Sequence, residues 1–435
     1  MADQTNPSHR DRRIHPKSGY CPQTKTFHTL RPPLPLPPLS QPLSITHFAL
    51  SLLQSSAPAP TTTLLIDSES GRHVSYENFI CQVHSLTLSL QSLAPALSKG
   101  HVAFILSPTS LHVPVLYFSL LALGVVVSPA NPIGSESEIA HQVRLSRPAI
   151  AFATSATAHK LPRDELRTII LLDSPEFLSM LNRVGSSDTR PDFGIEVSQT
   201  DSMSILFSSG TTGRVKGVLL THRNFIAQLA GHAQRREPDP TLPDEQTVSF
   251  FTVPMFHVYG FFMLVLAVTM AETLVLRERF DFEAMLRAVE RYKVSYMPVS
   301  PPLIVSLGKS ELAQKYDLSS LRRICCGGAP LGKEVAGEIQ LRIQSFCFVY
   351  VGRRWCKSCL HSPILCGRLH PSPKAPPMQH CICTFTSSPY NIYIICTFAH
   401  SFIMVLGKFY PFSAGYSYIS YFPQFCIYRD HTGFT

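Results

Sequence analysis

From about Thr61 the chain alternates short apolar runs with longer amphipathic ones. "TTTLLID" (61–67) reads as a strand and "SESGRH" (68–73) as a turn, with Ser75 placed to cap a helix starting near Tyr76. "HVAFILS" (101–107) is an apolar strand, "SLHVPVLYFSLLALG" (110–124) is helical, and "VVVSPANP" (125–132) is the next strand. The rhythm continues through "AIAFAT", "TIILLD", "SMSILFSS", "FIAQLAGHA", "QTVSFFTVPMFH", "AETLVLRERFD", "FEAMLRAVERYKV", "SYMPVSPPLIVSLGKS" and "LRRICCGGAPLG". Strand–helix–strand succession predicts parallel sheets covered by helices, an α/β fold. The apolar run 111–128 is broken at Gly124 and carries Pro114, with Pro129 just beyond, which predicts a buried crossover helix rather than a membrane span.

Two flanks lack this texture. Residues 1–60 include "RPPLPLPP" and predict an extended, partly disordered lead-in. Beyond residue 340 no sustained period is found. Eight of the twelve cysteines lie there, and eight Lys/Arg stand against a single acid, Asp430, so this tail carries most of the net charge of +9. The remainder is nearly neutral, which excludes a general nucleic-acid surface. "CKSCLH" fits no established zinc spacing, and 392–406 is short for a span and contains His400. The polar N-terminus has no apolar signal core. Reduced thiols and a cytoplasmic location are therefore expected.

The candidate chemistry sits in "LFSSGTTGRVKGVLLTH" (206–222). Ser208, Ser209, Thr211 and Thr212 are short hydroxyl donors, Gly210 and Gly213 let backbone N–H groups approach a ligand, and Lys216 adds a cation. The reading is a strand, a phosphate-holding loop with its lysine, and a helix beginning near Thr221. It is not the hydrolase P-loop, which needs a glycine five residues after Gly210, where Val215 stands.

This segment resembles the phosphate loop of the adenylate-forming acyl-CoA synthetases, particularly plant 4-coumarate–CoA ligase-like proteins, with Val215 where proline is usual. "PMFHVYGF" (254–261), "GGAPLGKE" (327–334), "SPANP" (128–132) and "VSYENF" (74–79) resemble further family segments, in order, over residues 20–340. The resemblance implies ATP, Mg2+ and coenzyme A as co-substrates and a small carboxylic acid, 4-coumarate-like or fatty, as substrate. It implies that Ser208, Ser209, Gly210, Thr211, Thr212, Gly213 and Lys216 hold ATP. His257, Tyr259, Gly327, Gly328, Ala329 and Pro330 would line the acyl site, and Arg279 would meet a phosphate of coenzyme A.

The family also carries a Tyr-Gly-x-Thr-Glu segment, a ribose-binding aspartate, a hinge and a C-terminal lid with the adenylation lysine. None is found here, so no catalytic or metal-ligating residue is assigned. The expectation is an incomplete large N-terminal domain at 61–340, two sheets layered with helices as αβαβα, followed by a non-homologous and disordered tail at 341–435. Translated non-coding sequence is the simplest source of that tail. A catalytically silent fragment that binds only nucleotide or a partner is the alternative function. Peroxisomal residence is the family's alternative location, and the chain ends in "GFT", which is not a peroxisomal tripeptide.

Overall fold

The computed structural model describes residues 15, 20–21, 23, 26–27, 34–56, 59–93, 97–182, 194–208, 215–234, 246–327, 347–350, 382–385, 392–397 and 402–406. The chain divides into two compact units, Pro35–Arg368 and a smaller one made of Met1–Leu34 with Leu369–Thr435. In the smaller unit β1 (Tyr20–Cys21) pairs antiparallel with β2 (Thr26–Phe27).

The large unit opens with α1 (Ile45–Ser55), β3 (Thr63–Asp67), β4 (His73–Ser75), α2 (Tyr76–Gln91), β5 (Val102–Leu106), α3 (His112–Ala122) and β6 (Val126–Pro129). Next come α4 (Glu136–Ser146), β7 (Ile150–Ala153), β8 (Ile169–Leu171), α5 (Pro175–Met180), β9 (Ser202–Ser208), β10 (Lys216–Thr221) and α6 (His222–Gln234). It closes with β11 (Val248–Phe250), α7 (Val258–Thr269), β12 (Thr273–Leu276), α8 (Phe282–Arg291), β13 (Tyr296–Val299), α9 (Pro301–Lys309), β14 (Arg323–Cys326) and β15 (Cys347–Tyr350).

One sheet has six strands in the order β10-β9-β6-β5-β7-β8, and the other has seven, β15-β14-β13-β11-β12-β3-β4. Both are parallel except at one edge, where β10 and β4 run antiparallel to their neighbours. Alternation along the strands sorts their faces. In the six-stranded sheet Phe104, Leu106, Ala151 and Ala153 pack with Ile139 and Val143 of α4. In the seven-stranded sheet Phe250, Val275, Met297 and Ile324 pack with Met285 and Leu286 of α8 and Ile304 of α9. Between the sheets, α3 lies on β6, α7 on β12 and α2 on β3. The layers are those expected from the sequence.

Helix starts follow the local chemistry. Ser75 caps α2 by accepting from the Asn78 N–H at 3.2 Å. Ser135 and Glu138 form a reciprocal capping box at α4, whose hydrogen bonds hold the Glu138 carboxyl below the usual range.

Three features differ from the sequence reading. First, the lead-in contains α1, which buries Ala49, Leu50 and Leu53. The residues just before it are held by polar contacts: the Gln199 side-chain amide donates to the Pro38 and Gln41 carbonyls at 2.7 and 2.9 Å, and Arg223 to that of Pro37. Proline richness conceals such anchoring, because the bonding groups are carbonyls that every residue carries.

Second, the loop after Ser208 does not lead directly to a helix. β10 intervenes and pairs with β9, because Val218 and Leu220 alternate inward with strand period, and α6 follows at His222. Third, the tail has regular elements. β15 extends the seven-stranded sheet beside β14, and β16 (Ile382–Phe385), β17 (Ile392–Thr397) and β18 (Phe402–Leu406) form an antiparallel sheet in the smaller unit. "IYIICT" and "FIMVL" are rich in β-formers, which short-range period alone did not separate from noise. Among the described residues no helix is long and apolar enough to cross a membrane.

His222 lies at the junction of β10 and α6, buried, with Nδ1 accepting from the Ile45 N–H at 3.0 Å, one of the free donors at the start of α1. Burial lowers its pKa from 6.5 to about 4. As pH falls, the unfolded chain takes up this proton first. The contribution is complete above pH 6.5 and is lost toward pH 4, a change of about 3 kcal/mol at most. His222→Asn, which keeps an acceptor near Nδ1, is expected to make the urea midpoint less dependent on pH across that window.

Candidate active site

Ser208 and Lys216 stand directly opposite one another on β9 and β10. Opposed residues share a face, so the last hydroxyl before the loop and the first cation after it lie side by side. Ser208 is half-buried and Lys216 exposed. Ser209, Gly210, Thr211, Thr212 and Gly213 fall outside the described residues, as do Gly328, Ala329 and Pro330. The loop leaves β9 at the carboxyl edge of its parallel neighbours, where ligands of open α/β sheets bind.

The second group of candidates collects at the carboxyl edge of the seven-stranded sheet. After β11, the chain turns through Pro254–His257, closed by the His257 N–H donating to the Pro254 carbonyl at 3.1 Å. Gly260 makes this turn possible, because a Cβ there would overlap the Pro254 carbonyl. His257 is the N-cap of α7, in extended conformation, and its Nδ1 accepts from the Tyr259 N–H at 3.2 Å. Burial lowers its pKa, so the ring is neutral near pH 7, and the accepting role of Nδ1 assigns the proton to Nε2.

Tyr259 is 8% exposed, and its hydroxyl donates to the Cys325 carbonyl at 3.0 Å. Burial raises its pKa well above the ordinary value. Gly327, just past β14, donates to the Val299 carbonyl at 3.1 Å. A Cβ on it would stand 3.5 Å from Cζ of Tyr259, so backbone and ring are already in close apposition. His257, Tyr259 and Gly327 are thus brought together. Arg279 is not part of this cluster: it lies in the exposed turn after β12. Sequence reasoning missed the Cys325 carbonyl that holds Tyr259, and Tyr296, whose ring lies 4.5 Å below the Arg323 guanidinium. Both belong to plain apolar strands, and only strand order brings them to the site.

Among the described residues no three His, Cys, Asp or Glu side chains gather to hold a metal ion.

Two helix-layered sheets with loops at their carboxyl edges define the N-terminal domain of adenylate-forming enzymes. The fold is similar to that of a red-emitting luciferase from Phrixothrix hirtus, with TM-score 0.62 and 24% identity over 73% of this chain and 62% of that one. It is also similar to the N-terminal domain of FACL13 from Mycobacterium tuberculosis, with TM-score 0.60 and 18% identity over 73% and 77%. The chain belongs to the AMP-binding enzyme family, whose profile matches residues 53–352. It is 55% identical over 344 residues to 4-coumarate–CoA ligase-like 9 of Arabidopsis thaliana, covering 77% of this chain and 60% of that protein. It is 33% identical to peroxisomal OPC-8:0-CoA ligase 1 of the same plant, covering 74% and 59%. The chain therefore spans about 60% of the length of these curated relatives.

Tyr259→Phe, which strips the buried Cys325 carbonyl of its donor, is expected to lower unfolding free energy by about 1–2 kcal/mol. Gly260→Ala, which drives a methyl group into backbone, should cost about 2–3 kcal/mol. Urea denaturation followed by circular dichroism measures both.

Proposed function

We propose that this chain binds ATP through the hairpin joining β9 to β10 and serves acid–thiol ligation. A carboxylate is converted to an acyl-adenylate with release of pyrophosphate, and the thiol of coenzyme A then displaces AMP. Family membership supports the reaction class, and the opposition of Ser208 and Lys216 across the hairpin carries the reading for this chain.

The first half-reaction brings one anion toward another, so neutralisation and positioning dominate its barrier. Lys216 supplies charge from the base of the hairpin. Ser208, with Ser209, Gly210, Thr211, Thr212 and Gly213, supplies hydroxyl and backbone donors to the phosphates. Mg2+ carried on the triphosphate would add shielding of its charge.

His257 enters as a neutral donor. With Nδ1 engaged by the Tyr259 N–H, its Nε2–H is directed to an oxygen of the acid, adding polarity without a competing charge. The Tyr259 ring, pinned by its hydroxyl, and Gly327, Gly328, Ala329 and Pro330 line the acyl site; Arg279 meets a phosphate of coenzyme A. The substrate is a hydroxycinnamate-like or fatty acid, and the location is cytoplasmic or peroxisomal.

Pyrophosphate release by the purified full chain, with ATP, Mg2+ and a panel of such acids, tests the reaction. Turnover supports ligation, whereas ATP binding without turnover supports the nucleotide-binding alternative. Lys216→Ala is expected to weaken ATP binding by about tenfold or more in calorimetry, because a charged hydrogen-bond donor is lost. Unchanged affinity would remove the hairpin from the assignment.

A further inference from the structure

We infer that Gln199 and Arg223 are positioning residues for the candidate acyl site, acting through a strap made of residues 37–44 and α1. The mechanical part stands on hydrogen bonds and packing; its consequence for an acid substrate rests on the acid–thiol ligase reading. Residues 37–52 precede the family-matched region 53–352, so most of the strap lies outside the shared profile.

The two fasteners meet at the amino edge of the six-stranded sheet. Gln199 precedes β9, Arg223 is the second residue of α6, and the Arg223 N–H donates to the Gln199 carbonyl at 2.6 Å. Arg223 Nη1 donates to Gln199 Oε1 and to the Pro37 carbonyl. Gln199 Nε2 donates to the carbonyls of Pro38 and Gln41 at 2.7 and 2.9 Å. Gln199 is fully buried and Arg223 half-buried. No carboxylate among the described residues pairs with this guanidinium. It gives up part of its hydration, and the oxygens it meets in return are those of Gln199 and the strap.

Beyond this catch the chain enters α1. Ser44 caps the helix by accepting from the His47 N–H at 3.1 Å, and the Thr46 hydroxyl donates to the Phe118 carbonyl of α3 at 2.7 Å. α1 lies against α3, α6 and α7. These are the helices whose rings interlock: Tyr117 of α3 and Phe225 of α6 both contact Phe261 of α7. The Phe261 N–H in turn donates to the His257 carbonyl at 2.8 Å. A helix of 11 residues is marginal in water by itself, so α1 has two states, docked and helical or released and unfolded. On release α7 loses a wall, and the turn bearing His257 and Tyr259 loosens with it.

Hydrogen–deuterium exchange of the full chain, read by mass spectrometry, tests this on peptides covering 45–55 and 258–264, with β7 and α8 as references. Arg223→Met and Gln199→Met are each expected to speed exchange about tenfold over 45–55 and about threefold over 258–264, with the references within about twofold. Arg223→Lys should be intermediate, because charge is kept and the forked donors are lost. Thr46→Val, which frees α1 from α3 without touching either fastener, should give the same pattern. Titration calorimetry of the same proteins with 4-coumarate, octanoate and, separately, ATP should show acid affinity falling about fivefold and ATP affinity within about twofold.

The inference is overturned if folded variants exchange like the wild type over 45–55, or if that segment loosens without 258–264. It is also overturned if all peptides speed up together, the mark of a general loss of stability, or if 258–264 loosens while acid affinity is unchanged. A wild type that binds neither acid sinks the acyl-site reading, whereas coupled exchange of 45–55 and 258–264 leaves the strap's hold on α7 standing.

Discussion

Everything in the large unit hangs on the enclosure of α7. Each residue from Tyr259 to Thr269 is buried, so this helix has no solvent face. Phe261 stacks on Tyr117 of α3 at 5.0 Å and meets Phe225 of α6 edge-on at 5.5 Å, and Phe262 lies 6.0 Å from Phe225. Such offset and edge-on aromatic pairs add to the hydrophobic gain of a dry interior. A helix gripped on all sides has a fixed first turn, and that turn carries His257 and Tyr259. The position of the candidate acyl site is therefore set by packing behind it.

Polar bonds then fix the details that apolar packing leaves open. Tyr259 is held by a main-chain carbonyl, His257 by a main-chain N–H, and Gly327 by the carbonyl of Val299. None of these partners depends on side-chain identity. The same holds at the lead-in, where the fully buried Gln199 amide donates to the main-chain carbonyls of Pro38 and Gln41. Backbone groups thus serve both as the scaffold and as the fastening of the site.

This explains which parts could be read from the chain alone. The strands "TTTLLID" and "HVAFILS", the helix within 110–124 and the cap at Ser75 announce themselves through local periods and local hydrogen bonds. Ser208, Lys216, His257 and Tyr259 stand out as candidates because motif chemistry is also local. The pairing of Tyr259 with Cys325 spans 66 residues, and that of Gln199 with Pro38 spans 161; neither leaves a periodic trace. β10 was missed for a subtler reason. A stretch such as "KGVLLTH" carries too few residues to separate strand from helix period, and only the facing strand decides it. α1 was hidden by its proline-rich preface, although its own residues, "ITHFALSLLQS", form helix readily.

The hairpin's pairing also governs how this region can diverge. Side chains on a strand change face with every residue, so a single insertion or deletion within 202–208 or 216–221 turns all later positions through half a turn. Such a lesion would send the ammonium of Lys216 to the opposite surface while leaving composition and motif spelling almost intact. Changes of length between the strands, at 209–214, leave that phase untouched. Descendants of this chain must therefore conserve strand parity, besides the loop's own donors, to keep a cation beside the hydroxyl of Ser208.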